Sequence, residues 1–255
     1  MIELRELTPA AEEGWWLLFD LMAERGDTCL LVGGQLMALL AAEHGSTLPR
    51  TTDDLDVVVN VQQHRRGTEW LSQWLVDRGF DFARPSADNI GHRFTKTTDA
   101  GRGTVVFDVL APAWLGRAEV ALTRPPARTV RAPGSTTAFS RSGLVDVRVS
   151  GVLGRGERRG QVRRPDLLGA LVMKAAGIAE IAVRSNPERD WQDVALLLSL
   201  IPDPVAEAGR CTARDRRRLH HVEPVLDRNH LAWAPLTDDD HRRGAGALEF
   251  LLDSS

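Results

Sequence analysis

The chain has 255 residues, enough for one large domain or two modest ones, and 43% hydrophobic residues supply material for a core. Its formal net charge of -3 gives no reason to expect nucleic acid or a membrane surface as a partner, so any such contact has to come from local patches. The two cysteines, Cys29 and Cys211, lie far apart with no C-x-x-C or Cys/His spacing, which argues against a disulfide framework and against zinc.

The first residues, MIELRELTPAAEEGWW, are acidic and do not lead from a basic stretch into an apolar one, so they do not read as a signal peptide. The apolar run from Leu30 to Ala42 is too short to span a membrane and is broken by two glycines. A reduced cytosol is the expected compartment. The basic residues are 30 arginines and only two lysines, Lys96 and Lys174. A lysine kept against that bias hints at a role that a guanidinium cannot fill.

In chain order, Thr8 and Pro9 form a good helix start, with Trp15, Trp16, Phe19 and Met22 as the apolar face. Cys29 to Val32 reads as a short buried strand. Gly33-Gly34 then turns the chain into a helix running to about His44, and a loop containing Pro49 follows. Leu55 to Val61 is a valine-rich strand, and Gln62 to Gly79 is helical by periodicity. Phe80 to Phe82, His92 to Thr95 and Thr104 to Leu110 are the next strands. Pro112 to Gly160, rich in Gly, Pro, Arg and Ser, reads as β structure with long connections, including a strand at Leu144 to Val149. From Pro165 the character is helical: Leu167 to Val183, Pro187 to Ile201 with Asn186 as cap, Arg210 to Asp227, and Asp238 to Leu252. The expectation is an α/β half (1–160) followed by a helical half (161–255) that completes an active-site cleft.

Alternate residues of a strand share a face, so Asp54 and Asp56 project together while Leu55, Val57 and Val59 turn to the core. Two neighbouring carboxylates raise each other's cost of ionisation, and a divalent cation between them relieves it. Asp108, centred in the apolar strand 104–110, needs a partner and is the candidate third carboxylate. Three such groups can hold two Mg²⁺ ions roughly 3.5–4 Å apart for in-line attack at phosphorus. Alone, Asp53-Asp54 would equally fit a turn before an ordinary strand. The added feature is Gly33-Gly34, where a strand ends and a helix begins: free N–H groups and the helix dipole there favour an anion.

These residues resemble the signature of the nucleotidyltransferase superfamily, most closely its AbiEii-type toxin branch, which includes mycobacterial tRNA-modifying toxins. That branch carries Gly-Gly, a helix, Arg-x-Thr-x-Asp-x-Asp and a later Asp, here Gly33, Gly34, Arg50, Thr52, Asp54, Asp56 and Asp108. It also carries a helical Lys followed by Arg-Asp-x-x-Asp, here Lys174, Arg189, Asp190 and Asp193. The resemblance implies a mixed α/β nucleotidyltransferase-like sheet with flanking helices. It also implies transfer of a nucleoside monophosphate from an NTP, with Mg²⁺ (or Mn²⁺) on Asp54, Asp56 and Asp108. Asp54, Asp56, Asp108, Lys174 and Asp190 are then the catalytic set. Gly33, Gly34, Arg50, Thr52, Lys174 and Asp193 are the nucleotide-binding set.

Read from the residues, Leu167, Leu171, Lys174 and Ile178 share one helical face, so the lysine lies in an apolar stripe and needs an anion. Asp190, in the first turn of its helix, could simply favour the dipole, but the resemblance implies that it is the chemical group, with Asp193, one turn on and on the same face, holding Lys174 or Arg50. Arg93, ahead of the Asp108 strand, could face a triphosphate, although a surface position is the plainer reading; His44 reads as a helix cap. The arginine runs at 148–164 and 210–221 are candidates for RNA contact beside such a site. By resemblance the acceptor is RNA such as a tRNA 3′ end, and the protein is a toxin with a cognate antitoxin. The alternatives are nucleotidylation of a small molecule and a non-catalytic nucleotide- or antitoxin-binding module.

Overall fold

The computed structural model describes residues 1–5, 7–113, 122–151, 156–180 and 187–253. The expected cap Asn186, the end of the Leu167–Val183 helix and Arg155 of the first arginine run lie outside these residues. In chain order the elements are β1 (Ile2–Leu4), α1 (Pro9–Arg25), β2 (Cys29–Val32), α2 (Gly33–Glu43), β3 (Asp54–Val59), α3 (Gly67–Val76), β4 (Asp81–Phe82), β5 (Arg93–Thr97), β6 (Thr104–Pro112), β7 (Val130–Ala132), α4 (Ser135–Ser140), β8 (Ser142–Ser150), β9 (Glu157–Pro165), α5 (Leu167–Glu180), α6 (Pro187–Ser199), α7 (Pro204–Arg210), α8 (Ala213–Leu219) and α9 (Asp238–Leu252). The mixed α/β architecture with a helical second half is the one expected.

Six strands form the main sheet in the order β2-β3-β6-β5-β4, with β7 beside the end of β6. The β3–β6 pair is parallel, and β2–β3 and β5–β6 are antiparallel. A second sheet, β1-β8-β9, joins the first residues to the middle of the chain. Period-two alternation in β3 buries Leu55, Val57 and Val59 completely while Asp54 and Asp56 stay on the other, more open face. α1 covers the buried face, where Gly14 lies against Leu55: a Cβ at Gly14 would sit 2.7 Å from Leu55 Cδ1. Its start is capped by the Thr8 side chain, which accepts from Ala11 N.

A smaller apolar cluster of Leu30, Val32, Val58, Ala138 and Met173 lies on the acid-bearing face. It seats α4 and α5 against the sheet beyond the carboxylates. The approach is close, since a Cβ at Gly134, which has φ +76, would meet Met173 Cα at 2.7 Å. The next residue along α5 is Lys174, so packing of Met173 fixes where that amine can reach. Cys29 is a core residue, as expected, and burial pushes its thiol up to about 12.

Three expected elements are corrected. The helix expected from Gln62 begins at Gly67, because Asn60 Oδ1 accepts from the amides of Gln62 and Gln63 and holds a turn there. The helix expected over 210–227 is broken at Cys211: α7 ends at Arg210, Thr212 and Asp215 form a capping box for α8, and a 3₁₀ segment containing Pro224 follows. The 112–160 region contains the helix α4 in addition to its strands.

Candidate active site

The register of the main sheet assembles an acid row. Across β2, β3, β6 and β5, Val32 pairs with Asp56, Asp56 with Asp108, and Asp108 with Arg93. Asp108 is buried at 4% exposure, and both of its oxygens accept from Arg93: Nε to Oδ1 at 2.9 Å and the terminal nitrogen to Oδ2 at 2.8 Å. The same terminal nitrogen lies 3.1 Å from Asp54 Oδ2, and His92 Nε2 stands 3.7 Å from Asp108. Burial, and after it the charge of Asp108, pushes the Asp56 carboxyl up to about 7, with Lys174 and Arg93 acting the other way. Asp54 is raised as well, by burial first and against the pull of Arg93.

The glycine turn has a steric reason that spacing alone did not reveal. Gly33 has φ +68, and a Cβ there would lie 1.9 Å from Asp56 Oδ2. A Cβ at Gly34 would lie 2.2 Å from Thr52 Oγ1. The first turn of α2 thus sits directly against the Asp56 carboxylate and the Thr52 hydroxyl, which only glycines permit. Gln35 fixes this approach from the next position: it accepts from Trp15 Nε1 at 2.7 Å and donates to Thr52 O at 2.5 Å. Sequence reasoning missed Gln35, although a polar residue opening an otherwise apolar helix was a signal. Thr8 adds a second tie by donating its hydroxyl to Asp53.

Opposite the acids, α5 and α6 bring Lys174, Asp190 and Asp193 together. The buried Asp193 takes Arg50 on both oxygens at 2.8 and 3.1 Å and Lys174 at 2.6 Å, while Lys174 also reaches Asp190 at 3.2 Å. Asp193 therefore holds both cations, one from the loop before β3 and one from α5. The residues Gly33, Gly34, Arg50, Thr52, Asp54, Asp56, Lys174, Asp190 and Asp193 share one cleft of about 430 Å³, with Arg189 also on its wall. A larger cleft of about 1010 Å³, also lined by Arg50–Asp53, lacks the Asp54/Asp56 pair.

The weaker signals divide. Arg93 is an exposed residue of β5, as the plainer reading has it, and it is also the partner of the acid row. His44 caps α2 through Leu40 O at 2.9 Å, and Lys96 pairs with Glu13 and Asp99 away from the cleft. The described arginines of the first run each have a partner within the chain: Arg148 on Glu3 and Glu157, Arg158 on Asp20, the exposed Arg159 on Glu157, Arg163 on Gly26 O, and Arg164 on Glu43. In the second run Arg210 pairs with Asp166 and Glu207, and Arg216 and Arg218 donate to neighbouring oxygens, whereas Arg214 and Arg217 are exposed on α8.

A divalent cation fits part of this donor set. Asp54 and Asp56 offer hard oxygens on one strand face, and among the described residues no hydrogen bond ends on the Asp56 carboxylate. Among the described residues no three His, Cys, Asp or Glu side chains are gathered as a ready metal cage. Asp108, expected as the third ligand, has both oxygens on Arg93.

The fold resembles that of a solved structure, an antigenic nucleotidyltransferase-like protein from Paracoccidioides brasiliensis, with a TM-score of 0.50 and 13% identity over 90% of this chain and 94% of that one. No protein-family model and no curated protein matches the chain. At that identity the likeness concerns the fold, and the fold is nucleotidyltransferase-like. No helix among the described residues is long and apolar enough to cross a membrane.

Proposed function

We propose that the protein transfers a nucleoside monophosphate from an NTP to an acceptor, releasing pyrophosphate. The observation that carries this reading is the convergence, in one cleft of a nucleotidyltransferase-like fold, of the Asp54/Asp56 pair, the Gly33-Gly34 helix start and Lys174. A Mg²⁺ ion, or Mn²⁺, held by Asp54 and Asp56 would neutralise phosphate charge. The amides opening α2 would receive an anionic phosphate, and Lys174, kept in place by Asp193, supplies a positive charge on the far wall. Asp190, within reach of the same amine, sets its position on the cleft side. Catalysis in this reading is positioning and electrostatics.

For the acceptor we propose RNA, a tRNA 3′ end by the resemblance of the motifs, and with it a toxin role checked by an antitoxin. The described arginines of the 148–164 run each already have a partner within the chain, so Arg214 and Arg217, exposed on α8, are the better placed to meet a phosphate backbone. A second reading, nucleotidylation of a small molecule, is favoured by the 1010 Å³ cleft that shares Arg50–Asp53 with the site. Incubation with each α-³²P-labelled NTP, Mg²⁺, total tRNA and a panel of small hydroxylated and amino acceptors tests both. The wild type is expected to label RNA and Asp56→Ala is not. Label on a small acceptor alone selects the second reading, and no label on RNA, protein or small molecule overturns nucleotidyl transfer.

A further inference from the structure

Arg93 meets the acid row edge-on from β5, at the register position opposite Asp108. Its fork takes both Asp108 oxygens, and its terminal nitrogen continues to Asp54 at 3.1 Å. Asp108 is buried, whereas the Arg93 side chain is 45% exposed, so the guanidinium bridges the buried acid and the cleft carboxylate Asp54 from the solvent side. A bidentate guanidinium–carboxylate pair uses the oxygens in a fixed geometry, and no metal can take them without displacing it. Arginine also stays charged at any pH the protein meets, so it neutralises the row without being lost by deprotonation.

We infer that Arg93 stands in place of a second divalent cation, so that the centre takes one hard divalent ion, on Asp54 and Asp56, while Asp108 is the counter-ion of Arg93 and not a metal ligand. Two features agree with this. No three-donor cage is formed among the described residues. Mg²⁺ is commonly held by one or two carboxylates together with water and substrate phosphates, for which Asp54 and Asp56 suffice. Arg93 then has two tasks: it offsets the charge of Asp108 and it limits the number of ions to one. A lysine could supply the charge but not the fork that occupies both oxygens.

The inference rests on the nucleotidyl-transfer reading only for the phosphates that would complete the coordination, and ion binding is measured without turnover. Mn²⁺ alone is titrated into the full chain and counted by electron paramagnetic resonance. The expected counts are one ion for wild type, one for Asp108→Asn, none for Asp56→Asn, two for Arg93→Gln, and one again for Arg93→Gln/Asp108→Asn. Arg93→Gln leaves a buried carboxylate uncompensated; if it does not fold, the wild-type and Asp108→Asn counts decide the matter. Two ions or none in wild type, or loss of the ion in Asp108→Asn, overturns the inference. NMP transfer assayed in parallel separates the two claims. One bound ion without transfer sinks the proposed function alone, and transfer with two bound ions sinks only the role given to Arg93.

Discussion

Asp56 and Asp108 are direct neighbours across the parallel β3–β6 ladder, two acids at the same level of adjacent strands. Arg93 answers the charge of Asp108 but leaves Asp56, which is pressed against Gly33, with its ionisation opposed by burial and by Asp108. That asymmetry, one acid paired and one poised, organises the rest of the cleft.

It sets a pH dependence whose sign follows from the shift. Asp56 titrates at about 7 in the folded chain against an ordinary carboxylate value of 3.8. The folded state thus binds the proton more tightly, and the contribution of Asp56 to stability declines as pH rises from about 4 to 7. Asp56→Asn is expected to be more stable than wild type at pH 8, by up to about 4 kcal/mol, and to show no such gain at pH 4. Added Mg²⁺ is expected to narrow the gap at pH 8 by stabilising wild type alone. Urea melts at the two pH values with and without the ion measure this, and an equal offset at both would refute the assignment.

Gly33 and Gly34 are required by shape as much as by any anion. Gly33→Ala places a methyl where Asp56 Oδ2 lies, on a backbone with φ +68. The conformation alone costs about 1–2 kcal/mol, and Asp56 has to move as well. NMP transfer is expected to fall by at least two orders of magnitude, on the scale of a misplaced reacting group. A Gly33→Ala protein with wild-type melting and turnover would show that the close approach is not needed.

The two cleft carboxylates of α6, Asp190 and Asp193, are expected to separate stability from chemistry. Asp193 is buried and holds Arg50 and Lys174, so Asp193→Ala takes the carboxylate from Arg50, leaves Lys174 with Asp190 alone, and costs about 3–5 kcal/mol. Asp190 is more exposed and makes a longer contact to Lys174. Asp190→Ala is expected to cost about 0–1 kcal/mol while lowering NMP transfer. Thermal melts beside the labelling assay read both quantities, and equal destabilisation by the two variants would be incompatible with these roles.

Much of this site was legible in the sequence because its signals are local. The alternation at Asp54 and Asp56, the paired glycines and a lysine in an apolar helical stripe each need only a few residues to be seen. Asp193 as the holder of Lys174 or Arg50 was expected from the resemblance together with the one-turn spacing from Asp190, and both contacts exist. What could not be read depends on register and distance. Arg93 becomes the partner of Asp108 only once β5 is paired with β6 in one particular register. Arg148 reaches Glu3 across more than half of the chain, and no local pattern distinguishes such an arginine from a solvated one. The short strand β1 escaped for the same reason, since three residues acquire meaning only through pairing with Val147–Val149.

That distinction makes the nature of the acceptor testable through salt. Arg214 and Arg217 are exposed on α8, and among the described residues neither has an ion-pair partner, whereas Arg158 ties β9 to α1 through Asp20 and Trp16 O. If RNA is the acceptor, each arginine that neutralises a phosphate contributes about 0.7–0.9 to the slope of log affinity against log salt. Arg214→Ala/Arg217→Ala is expected to weaken tRNA binding and flatten that slope by up to about 1.5 while leaving the melting temperature within a degree or two of wild type. Arg158→Ala is expected to do the reverse, lowering the melting temperature with the slope intact. Fluorescence anisotropy of labelled tRNA over a salt series measures the slopes. An unchanged slope in the α8 double variant would remove that helix as an RNA surface and shift the acceptor toward the small molecules that the neighbouring cleft could hold.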